Sequence, residues 1–265
     1  MCRSFFWLWI GSACLFAGGI DSVAGDDLFF ESASGKLRYF TEGAGETVLL
    51  LHGFAEDSRK GWIEPGIMAG LVKAQFRVVA IDCLGHGASS RPHTLNVYGH
   101  GIVNSVIGLL DALNIKKVHG VGYSMGAALM AKMLEQHPER FLSATLSGYG
   151  KPPLPEQVTE ELVDEIRSNL ERMQLAEGND PRALANLSVG WNEWLVSNES
   201  LGRNTVPALA LIGADDVFLS DTRKLVEAMS QCQLEIVSGD HGTARRQAHY
   251  LTRLVTFLNQ NRASE

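Results

Sequence analysis

The sequence predicts an α/β chain: an open, doubly wound, mostly parallel sheet with a helical segment inserted late in the order. Three observations carry this. Short aliphatic runs recur along the chain, stretches of helical period fall between them, and residues 150–205 break the alternation. Runs that are apolar on both faces suit the central strands of a parallel sheet covered by helices on both sides. Strand–helix alternation implies right-handed crossovers.

In chain order, Leu28–Ser32 and Lys36–Thr41 read as two strands around the turn signal Ser34-Gly35. Thr47–Leu51, Phe76–Ile81, Lys117–Val121, Phe141–Leu146, Ala208–Ile212 and Leu234–Val237 are the aliphatic runs. Helices are expected over Ile63–Ala74, around Val103, Val106, Ile107, Leu110 and Leu113, over Ala127–Gln136 and Asp221–Met229, and over Gln247–Asn259. In the insertion, Pro152, Pro153 and Pro155 mark an exit from the sheet. Val158, Leu162, Ile166, Leu170 and Met173 form one stripe at helical spacing. Asp180-Pro181 is a cap-and-first-turn pair, followed by the stripe Leu184, Leu187, Trp191 and Trp194. The stripes are expected to face a core, with Trp191, Trp194 and Met173 suggested as an apolar pocket roof.

The 265 residues carry 23 Lys+Arg against 30 Asp+Glu, a formal charge of −7, with 45% apolar and 20% charged residues. That is ordinary globular composition with enough chain for a sizeable core. The acidic balance and the lack of a Lys/Arg run argue against nucleic acid and against a polybasic membrane surface. The N-terminus is a separate case. Arg3, the apolar block Phe5–Ile10, and the small residues Ser22 and Ala24 around Val23 resemble a secretory signal cleaved after Ala24. The expectation is residues 1–24 as a signal peptide and an exported, periplasmic or secreted, domain over 25–265. An uncleaved N-terminal anchor, the only membrane contact expected, is the alternative. A lipid-modified Cys14 fits less well, since Gly11-Ser12-Ala13 lacks the expected large aliphatic residue. Cys2 and Cys14 fall in that segment, so only Cys83 and Cys232 remain, too few for a disulfide framework.

The strongest chemical signal is Gly122-Tyr123-Ser124-Met125-Gly126, placed between a buried strand and a small-residue helix. Such a sharp strand-to-helix turn lifts the serine hydroxyl out of the sheet at a helix N-terminus. A serine that merely capped the helix would not require glycine on both sides. A serine hydroxyl needs a base, and the base needs a carboxylate. His241 follows the last strand, and a loop at a strand's carboxyl end faces the same sheet edge as Ser124. His249 lies inside the final helix, and an order of Ser, acid, His excludes His86, His93, His100, His119 and His137. The acid should follow the penultimate strand, where Asp215 and Asp216 compete. Spacing favours Asp216, with Asp215 as a turn residue; Asp240, adjacent to His241, is a poorer candidate. Two N–H donors are needed for an oxyanion: the amides of Met125 and of Phe54, in the loop His52-Gly53-Phe54.

These landmarks, together with Asp82-Cys83-Leu84-Gly85-His86-Gly87-Ala88-Ser89, resemble the α/β-hydrolase superfamily over roughly residues 28–260. The resemblance implies that the Asp-x-x-Gly-His-Gly-x-Ser segment is a structural turn, so Asp82 and His86 are assigned no catalysis. It implies that 150–205 is the family's helical cap. In the family's sheet order the strands bearing Cys83 and Cys232 are well separated, so both thiols should be free. Two departures are visible: no proline follows Asp216 closely, and Gly242 follows His241.

The resemblance therefore implies a carboxylesterase-like serine hydrolase of a small, apolar carboxylic ester, working through an acyl-enzyme with no metal or cofactor. Activity should rise with pH as His241 gives up its proton. Epoxide and haloalkane hydrolases of this fold resemble each other in using an elbow aspartate, whereas this elbow carries serine. Amide, lactone or carbon–carbon hydrolysis, acyl transfer and cofactor-free perhydrolysis keep the same triad and stay open. So does a ligand-binding protein with little turnover.

Overall fold

The computed structural model describes residues 27–150, 159–173 and 178–263. The expected signal segment and Val158 of the first cap stripe lie outside them. Eight strands form one sheet: β1 (Leu28–Ser32), β2 (Gly35–Glu42), β3 (Thr47–Leu51), β4 (Arg77–Ile81), β5 (Val118–Tyr123), β6 (Phe141–Ser147), β7 (Ala208–Gly213) and β8 (Cys232–Val237). Their spatial order is β1-β2-β4-β3-β5-β6-β7-β8. The hairpin β1–β2 and the β2–β4 pair are antiparallel; every other pair is parallel.

Alternation along each strand splits the core into two layers. From β3, Leu49 and Leu51 join the cluster beneath α2 (His100–Ala112) and α3 (Met125–Gln136), while Val48 and Leu50 join the cluster beneath α1 (Ile67–Lys73) and α8 (Ala248–Gln260). Between β6 and β7 stand α4 (Glu160–Arg172), α5 (Pro181–Gly190) and the short α6 (Asn198–Gly202); α7 (Leu219–Ala228) links β7 to β8. Asp180 caps α5 by accepting the Arg182 and Ala183 amides. The cap has its own cluster, Val163, Ile166 and Leu170 against Leu184, Ala185 and Val189, and Phe54 and Ala55 pack on it. The insertion thus rests directly on the loop after β3.

The strands occupy the expected stretches, shifted by one or two residues at their ends. The first crossover differs. Instead of one helix over Ile63–Ala74, a π-turn covers Arg59–Ile63 and α1 begins at Ile67. Pro65 has no amide to donate, and Gly66 takes φ +76°, so the turn cannot continue into the helix. The pocket-roof expectation is corrected in part. Trp194 is buried and its indole N–H donates to Gly99 O at 3.0 Å, tying the cap to the start of α2. Trp191 packs against Phe54, with ring centroids 6.4 Å apart. Cys83, just after β4, and Cys232, at the start of β8, are both free thiols, and four strands separate β4 from β8. Among the described residues no helix is long and apolar enough to cross a membrane.

Candidate active site

The parallel strands β3 and β5 lie side by side, and the chain leaves β3 to one side of the sheet, toward β4, and goes on from β5 to the other, toward β6. A crevice opens at such a point, outside the strands' carboxyl ends. The loop after β3 and the turn after β5 meet there.

The turn after β5 is strained. Ser124 sits at φ +53°, ψ −112°, a region that a side-chain-bearing residue enters only when its surroundings impose it. Close packing does the imposing. A Cβ on Gly122 would run into the Gly126 carbonyl, and one on Gly126 into the Leu51 and His52 carbonyls. The Ser124 amide donates to Ser147 O at 2.8 Å, anchoring the turn to β6.

His241 Nε2 lies 2.9 Å from Ser124 Oγ, and His241 Nδ1 lies 2.8 Å from Asp216 Oδ2. Asp216 is fully covered, while His241 keeps a partly open edge, with side-chain exposures of 0% and 23%. The other Asp216 oxygen accepts the Phe218 amide at 2.9 Å, which fixes the carboxylate plane. Phe218 then places its ring 5.1 Å from the imidazole. Asp215 is exposed, with its amide in the turn to Gly239 O. Asp240 faces away from the imidazole's partners: it accepts the Gly242 and Thr243 amides and the Thr243 hydroxyl, holding the His241 loop in shape.

Among the described residues, the Met125 and Phe54 amides have no protein acceptor. A Cβ on Gly53 would stand 3.6 Å from Ser124 Cβ, so the Phe54 loop borders the serine. Its peptides are held from several sides. Cys83 N–H donates to His52 Nε2 at 3.0 Å, which leaves the proton on Nδ1 to donate to Gly53 O at 2.7 Å. In a trans peptide the C=O and the following N–H point opposite ways, so this bond sets the direction of the Phe54 amide. Ala55, at φ +61°, donates to His86 Nε2 at 3.1 Å and accepts from Asn179 Nδ2 at 3.1 Å. Burial, and then the neighbouring His52, hold the His86 imidazole well below its ordinary range, so it stays a neutral acceptor. Asp82 binds Arg38 at 2.7 Å and accepts the Ser58 and Ala88 amides, a structural knot below the crevice.

A family model described as the α/β hydrolase fold matches residues 46–176. The chain belongs to the α/β-hydrolase superfamily. This α/β hydrolase is 35% identical over 122 residues to a 2-hydroxy-6-oxononadienedioate/2-hydroxy-6-oxononatrienedioate hydrolase of Paraburkholderia xenovorans, covering 43% of this chain and 40% of that protein. Curated relatives at 32–35% identity are matched over only 24–40% of their own length. Among solved structures, it resembles a thermophilic esterase from Thermogutta terrifontis (TM-score 0.75, 18% identity, 90% of this chain and 100% of that one). It also resembles a meta-cleavage product hydrolase from Pseudomonas fluorescens IP01 (TM-score 0.72, 23% identity, 90% and 99%). At these identities the likeness is one of fold.

The structure thus brings Ser124, Asp216 and His241 together, with the Phe54 and Met125 amides bordering the serine. Sequence reasoning missed what supports them. Tyr123 donates its hydroxyl to His241 O at 2.5 Å. Glu56 accepts the Gly53 amide at 2.7 Å and binds Arg245 Nη2 at 2.8 Å. Their nearness to the motifs in sequence, three residues after Gly53 and four after His241, is the one signal that could have flagged the last two.

Proposed function

We propose that this α/β hydrolase cleaves small, apolar carboxylic esters through an acyl-enzyme on Ser124. The carrying observation is the continuous hydrogen-bonded line Ser124 Oγ–His241–Asp216 at 2.9 and 2.8 Å. Ser124 Oγ attacks the ester carbonyl while His241 Nε2 takes its proton. His241 then gives that proton to the departing alkoxide, and the acyl group stays on Oγ. A water, deprotonated by the same nitrogen, releases the acid and restores the serine. Asp216 holds the imidazole in the tautomer that accepts at Nε2 and stabilises the imidazolium. The Met125 and Phe54 amides receive the oxyanion, and the dipole of α3 adds to this because Ser124 is its N-cap. Phe54, Trp191 and Phe218 supply apolar surface around the crevice.

Carbon–carbon hydrolysis of a 2-hydroxy-6-oxo-dienoate is the second reading, favoured by the hydrolase from Paraburkholderia xenovorans among the relatives. Acids of that class carry a carboxylate, and Arg245, whose guanidinium lies 3.9 Å from the ring centroid of Tyr123 beside the nucleophile, is already paired with Glu56. Turnover of p-nitrophenyl esters of graded acyl length, run beside a 2-hydroxy-6-oxo-dienoate, decides. Efficient cleavage of short esters with slow dienoate turnover is expected; the reverse order would replace the first reading with the second.

A further inference from the structure

We propose that Glu56 and Arg245 form a positioning pair that fixes the oxyanion loop against the His241 loop; this rests on the ester-hydrolase reading of the same site. Glu56 uses its two oxygens on two different loops. Oε1 accepts the Gly53 amide at 2.7 Å and Oε2 binds Arg245 Nη2 at 2.8 Å, across 189 positions of chain. Arg245 Nη1 donates to Gly61 O at 3.1 Å, and the guanidinium lies 3.9 Å from the centroid of the Tyr123 ring. Tyr123 in turn donates to His241 O. The circuit closes: oxyanion loop, Glu56, Arg245, Tyr123 beside the nucleophile, and the histidine loop.

The two peptides flanking Gly53 are pinned from opposite sides, one N–H by Glu56 and one C=O by His52. With either contact gone, the second peptide can rotate and turn the Phe54 amide off the oxyanion. A buried ion pair is weak evidence for stability, because desolvation offsets much of the attraction. Here its effect is directional: a carboxylate with one oxygen on each loop, and a planar guanidinium shared between Glu56 and Gly61 O, fix two loops in one relative orientation. Burial pushes the Glu56 carboxyl up, but the charge and hydrogen bond of Arg245 outweigh it, so the group stays ionised.

The test compares wild type with Glu56→Ala, Glu56→Gln and Arg245→Met, using p-nitrophenyl acetate, a trifluoromethyl ketone inhibitor and hydrogen exchange. Glu56→Gln keeps a carbonyl oxygen for the Gly53 amide and should retain more activity than Glu56→Ala. Well below the melting temperature, Glu56→Ala and Arg245→Met should lower kcat by about 10- to 100-fold, a displaced rather than deleted oxyanion donor. KM should change little. The trifluoromethyl ketone, whose hemiketal oxygen occupies the oxyanion position, should weaken in step with kcat/KM. The acid limb of the pH–rate profile should stay in place, because the Asp216–His241 contact is untouched. Amide exchange over residues 50–56 should speed up at least tenfold in Glu56→Ala. A lowered Tm with unchanged kcat, ketone affinity and exchange would reduce the pair to scaffolding and overturn the proposal. If wild type has no esterase activity, the ester reading fails alone, and the exchange experiment still decides the pair: unaltered exchange overturns it and faster exchange supports it.

Discussion

The Tyr123 hydroxyl donates to the His241 carbonyl oxygen at 2.5 Å, joining residues 118 positions apart. Burial raises the phenol well above its ordinary value, so it remains a donor throughout the working pH range. The bond ties the residue preceding the nucleophile to the backbone of the base. Tyr123→Phe keeps the ring's packing against His241, at 5.4 Å between centroids, and removes only this bond. It should cost about 1 kcal/mol of stability and lower kcat several-fold with KM little changed. Urea unfolding and steady-state kinetics check both; an unaltered kcat would mean that the loop holds itself.

Asp216→Asn should leave the fold intact and reduce kcat by on the order of 10⁴-fold, because an amide there favours the wrong imidazole tautomer. Asp215→Asn, at an exposed turn position, should change kcat by less than about twofold, within the range of surface substitutions. Equal losses at the two positions would contradict the assignment of the acid.

Stability should fall in acid in two stages. His86 is buried and held well below its ordinary value, by burial first and His52 second. The unfolded chain therefore binds a proton that the folded one refuses, and stability declines as pH drops below about 6.5. His119, lowered chiefly by burial, acts in the same direction. Glu56 is depressed in the fold despite burial, owing to Arg245. Its contribution is present above the ordinary glutamate value of about 4.3 and is lost as pH falls through the lower folded value. Denaturant unfolding between pH 8 and pH 3, in wild type, His86→Gln and Glu56→Gln, checks this. His86→Gln should flatten the first stage and Glu56→Gln the second.

Gly126→Ala tests the close approach at the elbow. The added methyl meets the carbonyls of Leu51 and His52, which are backbone and cannot swing aside. A loss of about 1–3 kcal/mol or more is expected, with activity falling further than stability because Ser124 shifts. A variant as stable and active as wild type would show that the turn has room to relax.

Much of this was legible in the sequence because it is local. Thr47–Leu51 is aliphatic at every position after Thr47 and is buried at every position. Gly122 and Gly126 flank Ser124 at the spacing a strand-to-helix turn needs, and the turn is there. In the sequence only spacing favours Asp216 over Asp215, and geometry separates them: Asp216 reaches His241 Nδ1 at 2.8 Å with its carboxylate held by the Phe218 amide, while Asp215 is exposed. What stayed hidden depends on contacts across the fold. Nothing near Glu56 announces Arg245, 189 residues away. Trp194 shares a helical stripe with Trp191, yet one is spent on Gly99 and the other meets Phe54, a difference set by where the last turn after α5 points.

The central claim, that Ser124 carries the acyl group with His241 as its base, is tested most directly by intact-protein and peptide mass spectrometry after a brief exposure to a fluorophosphonate or a p-nitrophenyl ester. A single adduct on the peptide containing Ser124, absent in Ser124→Ala and formed at least about 10³-fold more slowly in His241→Ala, is predicted. An adduct on another residue, or equal labelling in His241→Ala, would contradict the account.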